Sequence, residues 1–349
     1  MATPIFDAHC DTILKVVDDD ADIVAPYPDT HIDGPRLQRA GVACQVFACF
    51  ASRDEHGPQV PERSRALLQA AQGLVGRGPF VAPRSAAELA ALADQDEAVG
   101  VLLAIEGGEA VGDSPAAVAE LGGLGVRYIT LAWGDNQLTG ASFGDGYGLT
   151  DLGREVVAEM ERHRILVDVS HLSDRGFADL QAIATRPIIA SHSNCRALCD
   201  SPRNLTDDQI RAIAQSGGVI GVNFVSGFLT QAASDAQRPI YAKHRPALKG
   251  HPDRWREVFS RIAAEVAATD LPPLSAIADH VDHIVAVAGI DAVAFGSDFD
   301  GFTHGPTGLD GCEDVPQIVA LLQERGYTEA ELRKIGWDNW QRVFAATFP

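Results

Sequence analysis

Two histidines end two successive strand-like runs, and their spacing narrows the folds open to this chain. Ile165-Leu166-Val167-Asp168-Val169-Ser170 is an uninterrupted, largely aliphatic run that stops at His171. Leu172 to Thr185 then reads as a helix opened by Ser173 and Asp174, after which Pro187-Ile188-Ile189-Ala190-Ser191 climbs again and stops at His192. Strand, helix and strand within about thirty residues make a βαβ crossover, so the two strands are parallel and both histidines emerge at one edge of the sheet. The carboxyl ends of parallel strands are where α/β enzymes hold their chemistry. Neutral imidazoles brought together there suit a borderline metal such as zinc. Either histidine alone is better explained as a core or capping residue, so the reading depends on further ligands in register.

The remaining chain supplies them. Ile5-Phe6-Asp7-Ala8 reads as a first strand running into His9-Cys10-Asp11. In extended backbone residues i and i+2 point the same way, so His9 and Asp11 can grip one ion. Val42 to Phe50 is a second strand, and Val99 to Ile105 a third that ends at Glu106-Gly107-Gly108. A carboxylate directly after a buried strand is costly unless its charge is compensated, and it can bridge two ions; a capping glutamate in a tight turn is the plainer alternative. Val126 to Ala132 is a fourth strand ending near Trp133, followed by a glycine-rich loop from Gly134 to Gly148 that could be a lid. Val219 to Phe224 is the seventh strand, and Ala292 to Ser297 the eighth, terminating in Asp298-Phe299-Asp300-Gly301.

Helical stretches separate most of these strands. Ser85 to Leu92 opens with a serine followed by a glutamate, the pattern of a capping box. Asp151 is positioned to cap a helix through Arg162, and Thr206 or Asp207 the helix after Arg203. That places Arg203 in a loop beside His192, where a guanidinium can fork onto a substrate carboxylate or form an ordinary ion pair. His280 and His283 are spaced i,i+3 on an outer helix, where a solvated face is the expectation. The last helices, near Val315 to Arg325 and Thr328 to Phe344, are expected to complete the outer layer.

Eight strands alternating with helices define a (β/α)8 barrel, expected as one domain over residues 1–349 with an excursion at about 225–270. The excursion reads as a cover over the barrel mouth or a subunit contact. With 28 Lys and Arg against 48 Asp and Glu the net charge is -20, which repels phosphate backbones and anionic membrane surfaces. No nucleic-acid or membrane partner is expected. No run approaches the roughly 18 apolar residues of a membrane span, and the N-terminus enters a strand without a leader-like segment, so the expected location is cytoplasmic. Six cysteines without a CxxC pair are expected to be reduced thiols.

His9, Asp11, Glu106, His171 and His192 exceed what one zinc ion needs, and one carboxylate bridging two ions accounts for the surplus. Phe6-Asp7-Ala8-His9-Cys10-Asp11, Ile105-Glu106-Gly107-Gly108, Asp168-Val169-Ser170-His171, Ala190-Ser191-His192-Ser193, Ser201-Pro202-Arg203-Asn204 and Gly296-Ser297-Asp298-Phe299-Asp300-Gly301 together resemble the membrane dipeptidase (renal dipeptidase) family of zinc peptidases, M19. The resemblance spans nearly the whole chain, in order.

It implies a site with two Zn2+ per chain, His9 and Asp11 holding one ion, His171 and His192 the other, and Glu106 bridging both. Two cations sharing one water make hydroxide available near neutral pH and polarise the scissile carbonyl. By resemblance Asp298 carries the proton from that water to the leaving amine, and Arg203 binds the terminal carboxylate of a dipeptide, including dipeptides with a D-residue at the second position. Similar mammalian enzymes have a substrate-contacting histidine at the end of the fourth strand, where this chain has Trp133-Gly134-Asp135-Asn136. Oxyanion stabilisation then rests on the metals, Trp133 Nε1 or Asn136. Relatives of this type also tend to be homodimers. Two alternatives stand beside this reading: a barrel amidohydrolase acting on another amide, a lactone or a phosphoester, and a barrel that binds metal or ligand without catalysis.

Overall fold

The computed structural model describes residues 3–348. Among them eight parallel strands form a ring: β1 (Ile5–Cys10), β2 (Val42–Phe50), β3 (Val99–Glu106), β4 (Val126–Thr130), β5 (Leu166–Asp168), β6 (Ile188–Ile189), β7 (Ile220–Val222) and β8 (Val293–Phe295). Neighbours in the sheet run β6-β5-β4-β3-β2-β1-β8-β7. The remaining gap is bridged where Ala190 N donates to Val219 O at 3.0 Å and Gly221 N donates to Ala190 O at 2.8 Å. Neighbours that follow chain order and meet their own start make the (β/α)8 barrel that the alternation predicts. A two-residue strand, Phe80–Val81, pairs with the start of β3 outside the ring.

The barrel buries two apolar layers. One lies between the strands and the outer helices and includes Ile13, Leu67, Phe177, Ile210 and Ile284. The other joins Phe6 of β1, Val46 of β2, Leu102 of β3, Tyr128 of β4, Ile189 of β6 and Ala294 of β8 in one cluster. Side chains from strands around a ring meet only near its axis, so this is the barrel interior. Trp337, Trp340, Val343 and Phe344 belong to the same cluster. The C-terminal segment therefore stops the barrel rather than completing the outer layer. Its helical run, Glu329–Arg333 and Asn339–Ala345, contains a π-turn at Lys334–Asp338. Trp340 Nε1 donates to Phe295 O at 2.8 Å, so the plug is also hydrogen-bonded to β8.

Close approach of backbone inside the ring needs glycine. A Cβ at Gly296 would lie 1.8 Å from Ser191 O, a distance no side chain can occupy. Helix starts follow local chemistry with two adjustments to the sequence reading. Thr150, not Asp151, caps Asp151–Arg162 by accepting from Gly153 N. Ser85 caps Ala86–Ala91, but the Glu88 carboxylate accepts from Arg84 N, one residue earlier than a reciprocal box requires. Thr206 and Gln209 form the full reciprocal pair.

The segment after β7 forms helices Gln231–His244 and Trp255–Val266 around a small apolar core of Leu248, Val258, Ile262 and Val266. His280 does not face solvent: it is fully buried, its Nδ1 accepting from Cys195 N at 3.0 Å and its Nε2 donating to Leu229 O at 2.9 Å. The helix it sits on faces β7 and the following loop, and an amide and a carbonyl replace the water it loses. His283 is half-buried and pairs with Asp207 at 2.8 Å. All six cysteines are buried free thiols. Among the described residues no helix is long and apolar enough to cross a membrane.

Candidate metal centre and active site

Polar side chains gather where the strands end. β5 pairs Asp168 with Ile189 of β6, and His171 and His192 each lie three residues beyond that pair, at matching addresses. β2 and β3 pair in register from Cys44–Gly100 to Phe50–Glu106, which puts Glu106 at the last rung. His9 is the last residue but one of β1, and Asp298 follows β8. His171 and Asp298 hold φ of 67° and 66°, a left-handed backbone uncommon for non-glycine residues, which turns both side chains off the strand direction.

The resulting cluster has two lobes. His9 Nε2 lies 3.7 Å from Asp11 Oδ2, 3.5 Å from Glu106 Oε2 and 4.0 Å from Asp298 Oδ1. Across the same carboxylate, Glu106 Oε1 lies 3.0 Å from His171 Nε2 and 3.5 Å from His192 Nε2. Each Glu106 oxygen therefore faces one lobe. Three overlapping sets, His9–Asp11–Glu106, Glu106–His171–His192 and His9–His192–Asp298, bring their donor atoms within 4.8 Å of one another and could hold a cation. His9 Nε2 and Asp11 Oδ1 are buried without a hydrogen-bond partner. Unpartnered buried donors of this kind fit a metal, which satisfies lone pairs that no protein N–H reaches.

The crowded groups perturb one another: burial would lower His9, but Tyr128 and Glu106 prevail and push it well up. Burial pushes the Asp11 carboxyl well up, and the nearby Glu106 charge adds to it. Burial alone would raise Glu106 too, but the imidazoles around it prevail and hold it well below the usual carboxylate range. Burial lowers His171 to about 3 and takes His192 well below its ordinary value, so both present neutral nitrogens. Their Nε2 atoms face each other at 3.0 Å, as ligands of a common ion would.

A second ring of groups orients these donors. Tyr128 Oη lies 2.8 Å from His9 Nδ1 and donates to Ala8 O at 2.9 Å. Ser191 Oγ lies 2.7 Å from His192 Nδ1 and donates to Asp168 Oδ2 at 2.6 Å. Asp168 also accepts from Thr130 Oγ1 and from the amides of Ser170 and Ser191. Asn223 Nδ2 donates to Asp298 Oδ2 at 2.9 Å. Asp300 is buried and takes Lys15 at 2.9 Å and the His31 amide at 2.9 Å; burial would raise it, but His31 and Lys15 prevail and lower it. Sequence reading passed over Tyr128, Asp168 and Asn223. Asn223 sits at the end of the seventh strand, so the strand-end rule could have found it.

Arg203 is buried beside His192. Its Nη1 donates to Ser193 Oγ at 2.9 Å, its Nη2 to His192 O at 2.8 Å, and its Nε is buried without a partner. Trp133 packs between Phe50 and His171, with ring centroids 4.7 Å and 6.2 Å away. Asn136 is not brought to the cluster. Its Nδ2 donates to Glu109 and Leu131 O, and its Oδ1 accepts from the amides of Leu138 and Thr139, which exhausts the side chain away from the cluster.

A parallel (β/α)8 barrel with imidazoles and carboxylates converging at its carboxyl rim defines the class of barrel metal-dependent hydrolases. The chain belongs to the membrane dipeptidase family, peptidase family M19, whose model it matches over residues 1–348. Its fold superposes on a metallo peptidase of family M19, dipeptidase AC, with TM-score 0.82, 27% identity and coverage of 100% of this chain and 99% of that one. It is similar to the metallo peptidase from Rhodobacter sphaeroides liganded with a phosphinate mimic of the dipeptide L-Ala-D-Ala, at TM-score 0.80, 27% identity and 100% of both chains. It is also 36% identical over 198 residues to an uncharacterized protein in the pqqA 5' region of Klebsiella pneumoniae, covering 57% of this chain and 60% of that relative.

Proposed function

We propose that this chain is a binuclear zinc dipeptidase that hydrolyses dipeptides with a free C-terminal carboxylate, D-residues at the second position included. One observation carries the reading: Glu106 offers Oε2 to the His9–Asp11 lobe and Oε1 to the His171–His192 lobe. One carboxylate with a separate set of donors at each oxygen is what a pair of ions needs. His9, Asp11 and Glu106 would hold one cation, and Glu106, His171 and His192 the other. Such cations supply Lewis acidity toward a carbonyl oxygen and toward water.

The chain's own groups do the rest. Asn223 anchors Oδ2 of Asp298, which leaves Oδ1 turned toward His9 as the atom that takes a proton from the attacking water and returns it to the leaving amine. Burial raises the Asp298 carboxyl, so it carries a proton more readily than a solvated aspartate. Tyr128 and the Ser191–Asp168 pair fix the ring orientation of His9 and His192. Arg203, lowered by burial to about 10, is still a cation at neutral pH and presents its unpartnered Nε edge to the substrate carboxylate. The D-residue follows the L-Ala-D-Ala mimic bound by the Rhodobacter sphaeroides relative.

The test is a panel of L,L- and L,D-dipeptides assayed beside their C-terminal amides. The acids are expected to be hydrolysed and the amides to lose at least about tenfold in kcat/KM, the worth of one charge-assisted hydrogen bond. Equal turnover of acids and amides would remove the role given to Arg203. No turnover of any dipeptide, beside turnover of a lactone or phosphoester, would replace the peptidase reading with another barrel hydrolysis.

A further inference from the structure

A second guanidinium stands over the same mouth. Arg245 opens the 3-10 turn Arg245–Leu248, directly after helix Gln231–His244 in the segment that follows β7. Its Cζ lies 4.5 Å from the centroid of the Trp133 ring and 5.9 Å from that of Tyr241. Its Nε is buried and has no hydrogen-bond partner. Trp133 in turn lies 6.2 Å by ring centroid from His171, whose Nε2 is 3.0 Å from that of His192, and Arg203 donates to His192 O at 2.8 Å, so the two arginines stand on either side of one histidine pair.

The stacking decides what Arg245 can do. A guanidinium over an indole uses its face for the cation–π contact and directs its N–H donors in its own plane, and the buried Nε of Arg245 has no partner there. Those donors match the two oxygens of a carboxylate. The small apolar core around Leu248, Val258 and Ile262, with Tyr241 and Trp255 packed against it, holds the turn in place. Arg245 is thus pre-positioned, and little side-chain freedom is lost when it meets an anion. A dipeptide has one terminal carboxylate, already given to Arg203. A second cation fixed beside the site, with a buried Nε that has no partner, is placed to meet a second carboxylate on the substrate.

We propose that Arg245, laid on Trp133, is a specificity-determining residue that selects dipeptides bearing an acidic side chain by pairing with that side-chain carboxylate. The inference rests on the dipeptidase reading above, of which it narrows the substrate class. It also gives Trp133 a task in the site, that of a platform for the cation.

Matched dipeptides differing only in carboxylate against amide, Asp against Asn and Glu against Gln at the first or the second position, test it in the metal-loaded full chain. The wild type is expected to favour the acidic member of a pair by about 10- to 100-fold in kcat/KM at one of the two positions. In Arg245→Gln that ratio is expected to fall to about twofold or less, chiefly through a higher KM for the acidic substrate. Arg245→Lys should restore part of it, and Trp133→Leu, which removes the platform, should lower it. A wild type indifferent to side-chain charge at both positions overturns the inference and leaves the dipeptidase reading standing. So does a preference that neither Arg245→Gln nor Trp133→Leu changes. A wild type that cleaves no dipeptide overturns both.

Discussion

Both oxygens of Glu106 face imidazole nitrogens, at 3.5 Å from His9 and 3.0 Å from His171, and that symmetry organises the chemistry proposed for the site. The acid was visible in the sequence because a carboxylate abutting a buried strand demands a partner. Tyr128 and Asp168 were not, since a polar residue inside an apolar strand gives no sign of which face it serves. Asn136 pointed the wrong way for a similar reason, because nothing in the sequence tells that its side chain is taken up by Glu109, Leu131 O and the amides of Leu138 and Thr139. Two predictions belong to single residues. Tyr128→Phe removes the group that orients His9, and metal affinity is expected to fall about 10- to 100-fold in competition titrations with a chromophoric chelator; unaltered affinity would leave Tyr128 a packing residue. Asp298→Asn keeps the shape of the pocket and should retain the metals while losing about 10²-fold or more in kcat. Unchanged turnover in that variant would take the proton from Asp298 and give it to another group.

Elements position these residues, and their packing sets how the protein meets acid. His280, on helix Ser275–Ala288, is buried and lowered by that burial to about 4. Its Nδ1 must stay unprotonated to accept from Cys195 N. The unfolded chain protonates such a histidine near pH 6.5, so the unfolded state binds more protons as pH falls. Its contribution is therefore fully present above about pH 6.5 and is lost progressively down to about pH 4, amounting to about 3 kcal/mol. Urea unfolding at pH 7 and pH 4.5 should show that loss, and His280→Gln should flatten this part of the pH dependence; an identical slope would assign the acid sensitivity elsewhere. At the barrel seam, Gly296→Ala puts a methyl group 1.8 Å from Ser191 O, and the expected outcome is loss of several kcal/mol or failure to fold, read by thermal melts. The histidine was misread because i,i+3 spacing says which residues share a face, not what covers that face. The start of the capped helices was nearer the mark, since serine and threonine caps are local chemistry.

For the whole molecule, the barrel was legible because strand and helix alternate along the chain and five of the eight strand runs lead into His9, Glu106, His171, His192 or Asp298. The strand ends also carried most of the site, since parallel register delivers residues at equal offsets to one rim, as His171 and His192 show. The C-terminal plug was not legible: an amphipathic helix that stops a barrel and one that coats it have the same period, and Trp337 and Trp340 reveal their place only when Phe6 and Ala294 are found around them. The central claim is that two cation lobes share Glu106 and that dipeptide hydrolysis depends on both. It is tested most directly by measuring kcat/KM on one dipeptide against zinc content per chain, from chelated protein upward, with elemental analysis of each sample. The account predicts negligible activity without metal and a rise that saturates at about two ions per chain, both lost in Glu106→Gln. Full activity in metal-free protein, or saturation at a single ion with Glu106→Gln still active, would contradict it.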